Sequence, residues 1–208
     1  NPVEQVTHTG MLRRGGAERV LILSGDHIYR MDYAAMLAYH EQNAADLTVA
    51  SMEVPLDQAG QFGIVTVDEG QRIIGFEEKS DNPQPLPGDD THALASMGIY
   101  VFSLDLLLDV LAKDHQREDS HHDFGRDIVP ALVDRIGAFA YRFGGEAGRV
   151  SPDRYWRDVG TLDSFYEANM DLLNPVPSLD LYQEDWPIRT YTAQYPPAPT
   201  VPGSSGDE

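Results

Sequence analysis

Val20-Leu21-Ile22-Leu23-Ser24-Gly25-Asp26-His27-Ile28-Tyr29 carries four apolar residues straight into a small-Gly-Asp corner. With no polar alternation, such a run predicts a short strand buried on both faces, as in a parallel sheet. Asp26 then falls just past the carboxyl end of that strand, where open α/β sheets place their ligands. Gly25 permits a sharp turn and leaves room for a ligand beside the backbone. A carboxylate held there suits Mg²⁺ carried in on phosphates, although a turn residue or a helix cap would look the same at this point.

Outward from this corner, strands and helices alternate. Arg13-Arg14-Gly15-Gly16-Ala17-Glu18 reads as the frayed end of a helix that leads into the first strand. Tyr33 to Gln42 places Tyr33, Met36, Leu37 and His40 on one helical face, with Asp32 positioned as its cap. Leu47 to Val54 returns as a strand. Phe62 to Val67 and Arg72 to Phe76 flank Asp68-Glu69-Gly70, a hairpin turn. The prolines between Asp81 and Asp90 predict an exposed loop. Ser96 to Phe102 is a further buried strand, and Ser103 is placed to cap a helix with a Leu104, Leu107, Leu108 and Leu111 stripe. Lys113 to His122 reads as a surface loop, and Phe124 to Arg135 as a short helix that Pro130 kinks or restarts. Ala138 to Phe143 and Tyr155 to Gly160 are strands, and Thr161 caps a closing helix that runs to Leu173. Seven of the fourteen prolines lie at or beyond Pro175, so that tail should run extended. This alternation predicts a three-layer α/β fold with a mostly parallel mixed sheet, plus a small antiparallel hairpin.

Composition narrows the function. The 208 residues leave room for one substantial α/β domain. A formal net charge of −19 argues against nucleic acid or an anionic membrane as partner. The absence of cysteine excludes disulfides, thiolate metal sites and a cysteine nucleophile. There is no apolar run of about 18 residues and no basic-then-apolar leader, so a soluble cytoplasmic protein is expected.

Several segments together resemble the bacterial glucose-1-phosphate adenylyltransferase (ADP-glucose pyrophosphorylase) family. They are Ser24 to Tyr33, Phe62-Gly63-Ile64, Phe76-Glu77-Glu78-Lys79, Ser96 to Phe102, His122-Asp123-Phe124-Gly125, Tyr155 to Thr161, and Trp186-Pro187-Ile188-Arg189-Thr190. The resemblance covers residues 17 to 190. It implies the nucleotidyltransferase version of the α/β fold and the reaction ATP + glucose 1-phosphate ⇌ ADP-glucose + pyrophosphate, a step toward glycogen. Family members open the catalytic domain with a Gly-rich loop carrying an Arg and a Lys, and end in a left-handed parallel β-helix. Neither is found in these residues. The resemblance therefore implies an internal fragment: residues 1–173 as a partial catalytic domain and 174–208 as a linker toward a β-helix. The fragment alone would not be expected to turn over. A homotetramer is the family's assembly.

Within that resemblance, Asp26 and Asp158 match two metal-associated, catalytic aspartates that would hold Mg²⁺. The plainer account of Asp158 is a salt bridge with Arg157. Lys79 matches the contact to the phosphate of glucose 1-phosphate, where a flexible ammonium acts as a point charge. Its plainer role is to balance Glu77 and Glu78. Glu78 would accept hydrogen bonds from sugar hydroxyls. Gly63 would let the sugar approach the backbone, and Ser96 matches a sugar-contacting serine; their plainer roles are a bulge and a satisfied buried hydroxyl. Tyr155 and Trp156 read as core, His27 as support for Asp26, and His121-His122-Asp123 as no metal site. Two other readings stay open: a non-catalytic regulatory subunit, and a nucleotidyltransferase using another nucleotide or sugar phosphate.

Overall fold

The computed structural model describes residues 14–145, 148–151 and 154–189. Expectations that touch Arg13, Thr190 and the stretch 190–208 lie outside the described residues. The elements run β1 (Arg19–Ile22), β2 (His27–Tyr29), α1 (Tyr33–Gln42), β3 (Leu47–Pro55), β4 (Gly63–Val67), β5 (Ile73–Glu78), β6 (His92–Ser103) and α2 (Leu104–His115). A π-helical turn (Phe124–Ile128) then leads into α3 (Val129–Leu132), β7 (Ala138–Arg142), β8 (Trp156–Asp158) and α4 (Leu162–Asp171).

Local chemistry sets most boundaries. The Asp32 carboxylate accepts from the Ala35 amide at 3.0 Å and starts α1. Thr161 and Ser164 form a capping box at α4. The Asp68 carboxylate takes the Gly70 and Arg72 amides at 2.9 Å, closing the β4–β5 hairpin. Pro130 falls in the first turn of α3, where its missing N–H costs nothing, so it restarts the helix. Ser103 stands at the α2 cap position, but its hydroxyl makes no cap bond. Instead the Leu104 amide donates to the Glu18 carbonyl at 2.8 Å.

The main sheet has the order β5-β4-β6-β3-β7, with β1 also paired to β6. Along β3, β6 and β7 the side chains divide between two cores. Leu47, Val49, Tyr100, Phe102, Ala138 and Ala140 meet α2 and α3 on one face. Ala50, Ile99, Val101, Tyr141 and Phe143 meet α1 on the other. The three-layer α/β class therefore stands. The expected parallel character does not: β3–β7 is parallel, while β1–β6, β3–β6, β4–β5 and β4–β6 are antiparallel. An uninterrupted apolar run reports burial on both faces and is silent on strand direction. β6 is such a run, and it lies antiparallel to every neighbour.

Three further expectations change. β1 pairs only with β6 among the described residues, none of Val20 to Leu23 is fully buried, and Leu23 is 43% exposed. β8 does not join the main sheet but forms a separate two-stranded ribbon with β2. The segment from Lys113 to His122 is less of a surface loop than its charges imply. Asp114 is buried and binds Ser120 Oγ at 2.6 Å and His122 Nδ1 at 2.7 Å.

Along one edge of β6, β4 pairs near the start and β1 near the end. Between them β6 bulges: Val49 faces Tyr100 but Ser51 faces Ser96, so Met97, Gly98 and Ile99 share one position on β3. Gly98 takes a φ of +67°, which a glycine adopts freely. The candidate site lies over this gap.

Candidate active site

The apolar run of β1 ends at the gap and delivers Ser24, Asp26 and His27 onto it. A Cβ on Gly98 would stand 3.5 Å from His27 Cε1 and 3.8 Å from Ser24 Cβ, so the bulge directly underlies this corner. The ribbon pairs His27 with Asp158, and the Val159 amide donates to the Asp26 carbonyl at 3.0 Å. Residues distant in sequence thereby converge: donor atoms of Asp26, His27 and Asp158 all lie within 4.8 Å of one another. A Cβ on Gly160 would sit 3.2 Å from Asp158 Oδ1 and 3.7 Å from Asp26 Oδ2, so both carboxylates border the same small space. Two exposed carboxylates facing one point fit a hard divalent cation, which takes oxygen ligands and keeps several waters. Ser24 donates from Oγ to Asp26 Oδ1 at 2.7 Å, and that bond holds the Asp26 carboxyl below its ordinary range. The Gly160 amide donates to Asp158 Oδ1 at 2.9 Å.

The expected alternative for Asp158 falls away, because Arg157 points elsewhere: its Nε donates to Asp171 Oδ2 at 3.0 Å. His27 Nε2 stands 3.7 Å from Asp26 Oδ1, in keeping with a supporting role. His121 and His122 bind Asp127 and Asp114 and join no metal-type cluster among the described residues.

The second corner lies two residues away along β6. Ile64 faces Ala95, which brings Gly63 beside Ser96. Ser96 Oγ accepts from the Gly98 amide at 3.3 Å, tying the two corners together. Gly63 faces Glu78 across the hairpin, and a Cβ on Gly63 would meet Glu78 Oε2 at 2.8 Å and Phe76 Cζ at 2.6 Å. A Cβ on Gly125 would meet the same Oε2 at 2.8 Å. The Glu78 carboxyl thus lies in a slot between two glycines. Desolvation in that slot raises its pKa against the opposing pull of Lys79, with Asp123 adding to the rise.

Lys79 follows directly, with a φ of +50° and its amide donating to the Phe62 carbonyl at 3.0 Å. Among the described residues no carboxylate forms an ion pair with its ammonium, although its charge still draws the Glu78 carboxyl downward. The Glu-Glu-Lys string is legible in sequence; the left-handed turn that lifts Lys79 out of the strand is not.

Trp156, Tyr100 and Asp123, to which the sequence assigned no site role, belong to these walls. Trp156 sets its ring edge-on to both His27 (5.0 Å) and Phe62 (5.8 Å), bridging the corners. With Phe62, Asp158, Gly160 and Thr161 it lines a cleft of about 410 Å³. Tyr100 stacks on Phe124 at 5.7 Å, and burial pushes its hydroxyl up to about 12, with Glu78 and Asp123 adding to the rise. Asp123 caps the π-helical turn, accepting from the Arg126 amide at 2.9 Å, with Oδ1 close to Gly125. The Asp123-Phe124-Gly125 string was the available signal for this wall.

Comparison with known proteins agrees with this architecture. The family profile described as nucleotidyl transferase matches residues 7–175. Glucose-1-phosphate adenylyltransferase 2 of Vibrio parahaemolyticus is 54% identical over 198 residues, which is 95% of this chain and 49% of the relative. Glucose-1-phosphate adenylyltransferase of Methylobacillus flagellatus is 51% identical over 92% of this chain and 45% of its own length. The Shewanella baltica protein of that name is 52% identical over 88% and 43%. The chain spans about half the length of the curated relatives it matches. No helix among the described residues is long and apolar enough to cross a membrane.

Proposed function

The chain belongs to the nucleotidyl transferase family, and from that premise we propose that it forms the catalytic part of a glucose-1-phosphate adenylyltransferase. The reaction joins ATP and α-D-glucose 1-phosphate to give ADP-glucose and pyrophosphate, supplying alpha-glucan synthesis. The observation that carries the proposal is the adjacency of the two corners on β6: paired carboxylates at one, a glutamate slot and a lysine with no ion pair among the described residues at the other. On this reading residues 1–173 are catalytic and 174–208 are a linker, whose start packs back on them through Arg30 and Arg149.

The chemistry is in-line attack of a sugar-phosphate oxygen on the α-phosphorus of ATP, which needs alignment and charge neutralisation rather than a covalent nucleophile. Asp26 and Asp158 would hold Mg²⁺, which when bound supplies positive charge to the phosphates. Lys79 neutralises the phosphate of glucose 1-phosphate from the opposite side. Glu78, fixed between Gly63 and Gly125, accepts from the sugar hydroxyls, and Ser96 offers its hydroxyl beside them. Trp156 and Phe62 wall the space between the corners.

The test is the natural full-length protein incubated with Mg²⁺, glucose 1-phosphate and, in turn, ATP, UTP, GTP and dTTP. Metal-dependent ADP-glucose and pyrophosphate from ATP are expected. Faster turnover with another nucleotide or another sugar phosphate would overturn the ADP-glucose reading.

A further inference from the structure

We infer that Arg30 is a positioning residue for the two aspartates, and that the segment 179–186 acts through it as a strap that sets the spacing of Asp26 and Asp158. The inference rests on the reading of those aspartates as the metal pair.

The need for a strap follows from the ribbon. β2 and β8 have three residues each and stand outside the six-stranded sheet. A two-stranded ribbon is marginal in water without packing, and this one has only Tyr29 and Trp156 of its two strands packed against a core cluster. Both aspartates belong to it, since Asp158 ends β8 and Asp26 immediately precedes β2. A small tilt of β2 against β8 therefore changes the carboxylate spacing directly.

Arg30 follows β2 and is only 7% exposed. Its Nη2 donates to the Asp180 carbonyl at 2.8 Å, and its Nη1 donates to Gln183 Oε1. Nε is buried with no partner, and no carboxylate pairs with the guanidinium among the described residues. The Trp186 ring lies 5.7 Å from Arg30 Cζ and 4.9 Å from Arg149 Cζ. Arg149 in turn binds Asp185 Oδ2 at 2.6 Å, and its carbonyl accepts from the Asp32 amide at 3.1 Å. The strap therefore grips the chain on both sides of the β2 exit, with Leu179 buried at its start.

Burying a guanidinium against neutral acceptors is costly, and an apolar side chain would pack there at lower cost. What the planar fork adds is direction: two donors fix the exit of β2 relative to two separate points of the strap. Such outer contacts orient metal-binding groups, and losing one commonly weakens metal affinity about ten- to a hundredfold.

The experiment measures Mn²⁺ binding to the natural full-length protein by electron paramagnetic resonance, with thermal melting alongside. Arg30→Gln and Trp186→Leu should weaken Mn²⁺ binding about ten- to a hundredfold at temperatures where both remain folded. Ile128→Val, in the core on the opposite face of the sheet, should lower the melting temperature without touching Mn²⁺ affinity. Undiminished binding in Trp186→Leu, or an equal loss in Ile128→Val, overturns the strap. If Arg30→Gln does not fold, Trp186→Leu and Gln183→Ala decide, because they alter the strap alone. Failure of the unmodified protein to bind Mn²⁺, or binding unaffected by Asp158→Asn, overturns the metal reading itself and the strap with it.

Discussion

Two glycine substitutions on either side of Glu78 separate stability from substrate binding. In Gly63→Ala the new Cβ would lie 2.6 Å from Phe76 Cζ, 3.0 Å from Phe76 Cε1 and 2.8 Å from Glu78 Oε2. Comfortable carbon contacts begin near 3.5 Å, so the gap must open by almost an ångström. Phe76 is a core ring, 8% exposed, and moves only by disturbing its neighbours. Overpacking of this kind costs about 1–3 kcal/mol, or several degrees of melting temperature in a chain of this size. In Gly125→Ala the atoms nearest the new Cβ are Glu78 Oε2 (2.8 Å), Glu78 Cδ (3.4 Å) and Asp123 Oδ1 (3.5 Å), all near the ends of flexible side chains. Stability should hold or rise slightly, since Ala restricts the unfolded chain more than Gly. Both variants push the Glu78 carboxyl out of its slot. If Glu78 accepts from sugar hydroxyls as proposed, losing those hydrogen bonds costs about 1.5–3 kcal/mol, roughly a ten- to hundredfold rise in KM for glucose 1-phosphate. The assay is steady-state kinetics on the full-length protein with both substrates varied, beside scanning fluorimetry. Gly63→Ala should lose melting temperature and sugar-phosphate affinity; Gly125→Ala should lose affinity alone. An unchanged KM in a well-folded Gly125→Ala would refute the role given to Glu78.

Lys79→Ala should raise the KM for glucose 1-phosphate about ten- to a hundredfold and leave that for ATP nearly unchanged; equal effects on both would place the ammonium elsewhere. Asp26→Asn should depress kcat strongly with little change in melting temperature, and combining it with Asp158→Asn should add little if both serve one ion. Near-normal kcat with a large loss of melting temperature would make Asp26 structural. Because burial raises the Glu78 carboxyl, the native state holds its proton longer than the unfolded chain does. Stability is therefore lost as pH rises from the ordinary glutamate value, about 4.3, through the raised one. Glu78→Gln should melt higher than the native protein near neutral pH and match it below about pH 4; a constant difference across that range would show that Glu78 titrates normally.

The sequence by itself determined what depends on neighbouring residues. Asp32 and Thr161 cap their helices, Asp68 closes its hairpin and Pro130 restarts a helix, because each acts on amides or dihedrals a few positions away. The apolar runs located the strands for the same reason, and Asp26 could be picked out by its place just past one of them, whereas Glu78, Lys79 and Asp158 were picked out only through the family resemblance. Tertiary structure decided which strands pair and in which direction, since an apolar run can be buried beside a parallel or an antiparallel partner. It made β6 antiparallel to its neighbours, removed β8 to a ribbon with β2, and so placed Asp158 against Asp26. It gave Arg157 to Asp171 rather than to Asp158, and it set Trp156, packed against one core, so that its ring also bridges the two corners. It also folded the start of the Pro-rich segment back onto Arg30, through a buried guanidinium whose partners lie some 150 residues further along the chain. Those pairings rest on long-range geometry, and no local pattern of residue types encodes which distant carbonyl or ring a side chain will meet.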